Sequence, residues 1–192
     1  MDLFESIFQK VFPMLETKLP SFLTYHSPKH TTYVIEKSIM LGELQKVRPH
    51  DLFLIKTAAL LHDIGFIRQF KDHEEAGCKM AGDLLAEYDL PDDDLKKICG
   101  MIMATKIPQT PHSINEMIVA DADLEYLGTD SFHDISRLLY EELHYVNPEL
   151  DEEGYRQIQI DFLKGHQYHT DFCRTYREPK KQEHLMELLR VN

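Results

Sequence analysis

The chain has 192 residues, 43% of them hydrophobic, with 21 lysines and arginines against 33 aspartates and glutamates, for a formal net charge of −12. That length fits one well-buried core and is short for two, and the apolar fraction excludes wholesale disorder. A surface of that sign disfavours nucleic acid and anionic membrane as partners, so an anionic substrate needs a local positive charge, which a metal ion supplies most simply.

Three cysteines, Cys78, Cys99 and Cys173, are odd in number and widely spaced, which fits a reducing compartment better than a disulfide framework. The start, "MDLFESIFQK", mixes acids among its apolar residues and lacks the pattern of a secretory leader. No stretch approaches the roughly 18 consecutive apolar residues of a membrane helix. The expected location is cytoplasmic.

The chain reads as a series of helices. Residues 3 to 16 set Leu3, Phe4, Ile7, Phe8, Val11, Phe12 and Leu15 on one stripe. Ser27 offers an N-cap and Pro28 a preset first turn for a second helix over 28 to 46. A third, "DLFLIKTAALLHD", follows Pro49 and stops near Gly65, and a fourth starts around Asp72 and runs through "EEAGCKMAGDLLAEY". "PDDDLKKICGMIMAT" opens with proline and acids, as a fifth helix would. Ser113 and Glu116 form a capping-box signature for a sixth, to about Leu127. Further helices are expected over 131 to 145, 151 to 176 and 179 to 190. Hardly any segment alternates with period two. The expected fold is all-α, nine helices in one domain over 1–192.

Polar residues interrupt this pattern where a core belongs. His62 and Asp63 sit in the last turn of an apolar helix, where a buried carboxylate demands a partner. Asp121 occupies an apolar position in the rhythm Ile114, Met117, Ile118, Asp121, whereas Asp123 is expected to point elsewhere, as a surface or supporting group. With His30 near the start of the second helix, these residues offer two imidazoles and two carboxylates. That mix suits a divalent ion among Mn, Fe, Mg, Zn and Ni.

"YHSPKHTTYV", "LLHDIG" and "DADLEYLG" together resemble the HD-domain superfamily of metal-dependent phosphohydrolases, whose pattern is H…HD…D on a helical core. The resemblance spans about 25–128, with 129–192 as a helical extension. It implies His30, His62, Asp63 and Asp121 as metal ligands. "YHxxxH" is also similar to the opening motif of cyclic nucleotide phosphodiesterases, which implies His26 as general acid. His73 in "DHEEAG" stands where some members add a ligand, so a second, looser ion near His73 and Asp63 is part of the expectation, as is a site role for His73 in catalysis. No GYP motif is present.

The expected activity is hydrolysis of a phosphomonoester or phosphodiester of a nucleotide-like or other small molecule, with Asp63 or Asp121 orienting the attacking water. Lys29, Arg68 and Lys106 are the candidate phosphate contacts. The alternative is a regulatory protein of the same fold that binds metal or nucleotide with little turnover. The expected partner is a small phosphorylated substrate, with no nucleic acid and no membrane, and a homodimer is left open.

Overall fold

A helix that is apolar on every side is stable only when enclosed, and α3 (Pro49–Leu61) is such a helix. Leu54, Ile55, Ala58, Ala59, Leu60 and Leu61 are all fully buried. Around it pack α1 (Leu3–Lys18), α2 (Pro28–Leu44), α5 (Asp92–Met103) and α6 (Ile114–Asp123). α4 (His73–Leu85) lies against α5 and against the 3-10 turn Ile64–Ile67 that continues from α3. Past a further 3-10 turn, Glu125–Gly128, come α7 (Phe132–Val146), α8 (Glu152–Gly165), α9 (Asp171–Tyr176) and α10 (Glu178–Arg190). This computed structural model describes residues 2–190; Met1, Val191 and Asn192, the ends of the expected extents, lie outside the described residues. Among the described residues there is no strand, and the fold is all-α.

Local chemistry accounts for most boundaries. In α1, Ile7, Val11 and Leu15 recur every four residues and form its buried stripe. The capping box of α6 forms as expected: Ser113 accepts from the Glu116 amide while the Glu116 carboxylate accepts from the Ser113 amide. At α2 the Ser27-Pro28 step does start the helix, but the Ser27 side chain makes no capping bond.

The expected helix over 151 to 176 is two helices, so the described residues contain ten α-helices rather than nine. The break falls at 166–170. There the amides of His169 and Thr170 leave the helical pattern and donate to the Asp121 carboxylate at 2.8 and 2.7 Å. Thr170 then caps α9 by accepting from the Cys173 amide.

Gly65 is required by a close approach. A Cβ on it would lie 1.8 Å from the His73 carbonyl oxygen and 2.7 Å from the Gly77 nitrogen. Its absence lets the turn after α3 press against the start of α4, which brings His73 beside Asp63. Among the described residues no helix is long and apolar enough to cross a membrane.

Candidate metal centre

Four side chains converge where α2, α3 and α6 meet. His30 stands in the first turn of α2, His62 caps the end of α3, and Asp123 is the last residue of α6. Asp63, just past α3, has φ −102° and ψ 1°, in the bridge region between helix and strand. His30 Nε2 lies 3.0 Å from Asp123 Oδ1 and 3.2 Å from His62 Nε2. His62 Nε2 is 3.1 Å from Asp63 Oδ2 and 3.7 Å from Asp123 Oδ1, and Asp63 Oδ2 is 3.6 Å from His30 Nε2.

This set fits a divalent ion on its own geometry. His62 Nδ1 donates to the Ala59 carbonyl at 2.8 Å, which leaves Nε2, the nitrogen aimed at the centre, as the lone-pair atom of the neutral ring. Asp63 Oδ2 is buried with no hydrogen-bond donor. A carboxylate oxygen in that position is costly unless a cation meets it. His30, His62 and Asp123 each offer an atom within 4.8 Å of the others. Two imidazoles with carboxylates suit borderline or hard divalent ions.

The electrostatics agree. Burial penalises the charged His62 ring, but the carboxylates of Asp63 and Asp123 outweigh it and carry its pKa up to about 9. Burial also opposes charge on Asp63, yet His62 and His26 beside it hold that carboxyl well below the usual range.

Asp121 is not part of this cluster, contrary to the expectation from sequence. It is fully buried, and its oxygens accept from the amides of His169 and Thr170 and from the Thr170 hydroxyl, at 2.6 to 2.8 Å. Burial raises its pKa against the pull of those donors. Periodicity does not mark the face toward the site because this part of α6 is enclosed all round: Ile118, Val119, Ala120, Asp121 and Ala122 are all buried. Asp123, expected to point elsewhere, is the acid that meets His30. It lies two residues on, roughly 200° around the helix.

The cations are also placed differently from expectation. Lys106 is held by Asp72 and Glu75, its Nζ 2.8 Å from Asp72 Oδ1 and 2.5 Å from Glu75 Oε1. Lys29 and Arg68 are exposed, and none of the three lines the cavity beside the cluster.

That cavity has a volume of about 320 Å³, and His26, His73, Asp63, Glu74 and Asp123 stand along its polar side. His73 stacks on Phe66, ring centroids 3.7 Å apart, with Nε2 3.6 Å from Asp63 Oδ1. Its Nδ1 is 3.6 Å from Glu74 Oε2. His26 is gripped from the far end of the chain. Glu142, on α7 and fully buried, accepts from His26 Nδ1 through Oε1 and from the amides of Tyr25 and His26 through Oε2. Burial disfavours the charged His26 ring, but Asp63 and Glu142 raise its pKa above the ordinary value. Glu142 escaped the sequence reading. Its signal was there: it follows Ile135, Leu138 and Leu139 at helical spacing, a charge in an apolar register.

The HD domain family model matches residues 29–126, which takes in His30, His62, Asp63 and Asp123 and leaves His26 and Glu142 outside. No curated protein and no solved structure matches the chain. HD domains bind divalent metals and are in general metal-dependent hydrolases. With half of its length matched and the histidine and aspartate side chains of the motif drawn together, the chain belongs to the HD domain family.

Proposed function

We propose that the protein is a metal-dependent phosphohydrolase acting on the phosphate ester of a small molecule. The observation that carries this reading is the convergence of His30 Nε2, His62 Nε2, Asp63 Oδ2 and Asp123 Oδ1 beside a cavity that also exposes His26. A divalent ion held by these residues supplies Lewis acidity toward a phosphoryl oxygen and a water of lowered pKa.

The chain's own residues supply the rest. Asp63 has a second oxygen, Oδ1, directed to His73, so its carboxylate spans the ligand cluster and the cavity side. There it orients an attacking water by accepting its hydrogen bond. His26, its Nδ1–H committed to Glu142, keeps Nε2 for the substrate; in the protonated ring that nitrogen carries the proton a departing alkoxide needs. The nearby Asp63 and Glu142 carboxylates, which raise the His26 pKa, favour that protonated form. His73, fixed by its stack on Phe66, stands where a non-bridging oxygen or a second, weaker ion would be met.

The test is direct. The full chain, stripped and reloaded with Mn²⁺, is assayed against phosphomonoesters and diesters, beside Asp123→Asn. Turnover that needs the metal and falls at least about a hundredfold in the variant supports the reading. Metal-replete protein that hydrolyses none of the panel sinks it.

A further inference from the structure

The cavity beside the metal centre has two unlike halves. The polar side carries the imidazoles and carboxylates described above; the rest is built by the C-terminal helices. Leu139 and Leu143, one turn apart on α7, and Ile158 and Phe162, one turn apart on α8, face it, with Leu124 and Leu127 beneath. None of these four α7 and α8 side chains is buried by the protein itself. No lysine or arginine lines the wall.

The polar groups that α7 and α8 bring to that side, Ser136, Tyr155 and Gln159, are bonded to one another. The Tyr155 hydroxyl donates to the Ser136 carbonyl at 2.7 Å and lies 2.8 Å from Ser136 Oγ, which also accepts from Gln159 Nε2 at 2.5 Å. A nucleobase or sugar seated between α7 and α8 would set most of its polar atoms against leucine, isoleucine and phenylalanine, and an unpaired buried polar group is expensive. A second or third phosphate would meet the Glu74 carboxylate with no lysine or arginine on the wall to offset it. An alkyl or aryl group has neither difficulty. It would cover half-exposed leucine and phenylalanine surface while one phosphoryl group stays at the polar end.

We infer that this site is shaped for phosphate esters with a single phosphoryl head and an apolar chain or ring, the latter seated between α7 and α8 against Leu139, Leu143, Ile158 and Phe162. The identity of the head group rests on the phosphohydrolase reading; the apolar seat does not. The volume is at the small end of the roughly 300–1,000 Å³ of ligand pockets, which suits a medium-length chain or one ring system. Leu139 and Leu143 then act as specificity determinants.

The experiment titrates methyl-, butyl- and octylphosphonate, which cannot be hydrolysed, into the Mn²⁺-loaded full chain by calorimetry. In parallel, 1-octanol is titrated into the metal-free chain. Affinity is expected to rise about fourfold per added methylene until the cavity is filled, with an increasingly negative heat-capacity change. Leu139→Trp, which fills the space, lowers the octyl-to-methyl affinity ratio by about tenfold or more, and Leu139→Met retains it. Should the tryptophan variant not fold, Leu143→Gln reads the same ratio. Equal affinities for methyl- and octylphosphonate with no binding of octanol overturn the inference, as does tighter binding of a nucleoside diphosphate than of octylphosphonate. The two readings fail separately. Chain-length-dependent binding with no hydrolysis of octyl phosphate keeps the apolar seat and sinks the hydrolase; equal kcat/KM for methyl and octyl phosphate does the reverse.

Discussion

Glu142 holds the His26 imidazole from 116 residues further along the chain, its Oε1 2.5 Å from Nδ1. The same carboxylate anchors the loop that leads into α2, because its other oxygen takes the amides of Tyr25 and His26. One buried acid on α7 thus sets both the ring's tautomer and its position. If His26 is the general acid, Glu142→Gln should lower kcat by about a hundredfold for alkyl phosphates, whose leaving groups need a proton. For 4-nitrophenyl phosphate, whose leaving group does not, the loss should be within about tenfold. The alkaline limb of the pH–rate profile should move to lower pH, because the charge that raises the His26 pKa is gone. A uniform loss on both substrates with an unmoved profile would assign Glu142 to structure alone.

The two aspartates at the end of α6 are separable. Asp123→Asn should reduce bound metal to below about a tenth of an equivalent while leaving the unfolding midpoint of the metal-free chain within a few degrees, since Asp123 meets only the ligand cluster. Asp121→Asn should keep its metal but cost about 1–3 kcal/mol, because it weakens the charge-assisted bonds that join α6 to the start of α9. Elemental analysis, thermal melts and urea denaturation of the two variants check both outcomes. Metal lost in the Asp121 variant and kept in the Asp123 variant would reverse the assignment.

Metal binding and protons compete at His62. Without an ion its pKa is raised to about 9, so the metal-free fold gains stability from the charged ring at low pH. That gain is complete below the unfolded-state pKa of roughly 6.5 and is lost as pH rises through about 9. A metal needs the neutral ring and must displace that proton, so its affinity should rise about tenfold per pH unit from pH 7 toward 9. The thermal shift on adding Mn²⁺ should therefore be larger at pH 8.5 than at pH 6.5. A shift that does not change with pH would place the ion away from His62.

Gly65→Ala should destabilise the protein by about 3 kcal/mol or more, since the new methyl would overlap the His73 backbone, which has no side-chain freedom with which to retreat. Gly42→Ala is the matched control: its methyl would meet the Leu52 Cδ1 at 2.9 Å, the far end of a flexible side chain, and should cost about 1 kcal/mol or less. Denaturant midpoints of the pair measure the difference.

Lys106→Ala should leave kcat/KM within about twofold. The ammonium is engaged by Asp72 and Glu75 and is absent from the cavity wall, so its loss alters an exposed ion pair of small energetic weight. A rise in KM of about tenfold or more would show that it reaches the substrate after all.

By itself the amino-acid order determined everything that depends on neighbours in the chain. Helical periodicity, the Ser27-Pro28 start, the Ser113 and Glu116 capping box and the all-α class are all local. So is the anomaly of His62 and Asp63 at the end of a helix too apolar to stand in water, which by itself points to a site. Only tertiary structure decided which acid of "DADLEYLG" turns to His30, because a helix buried on every side has no polar face to betray its orientation. It alone could show that Asp121 breaks the 151–176 segment, that Glu142 reaches His26, and that Lys106 is occupied elsewhere. Each of these depends on which helix ends are packed side by side, and a buried charge takes whatever partner that packing brings within reach.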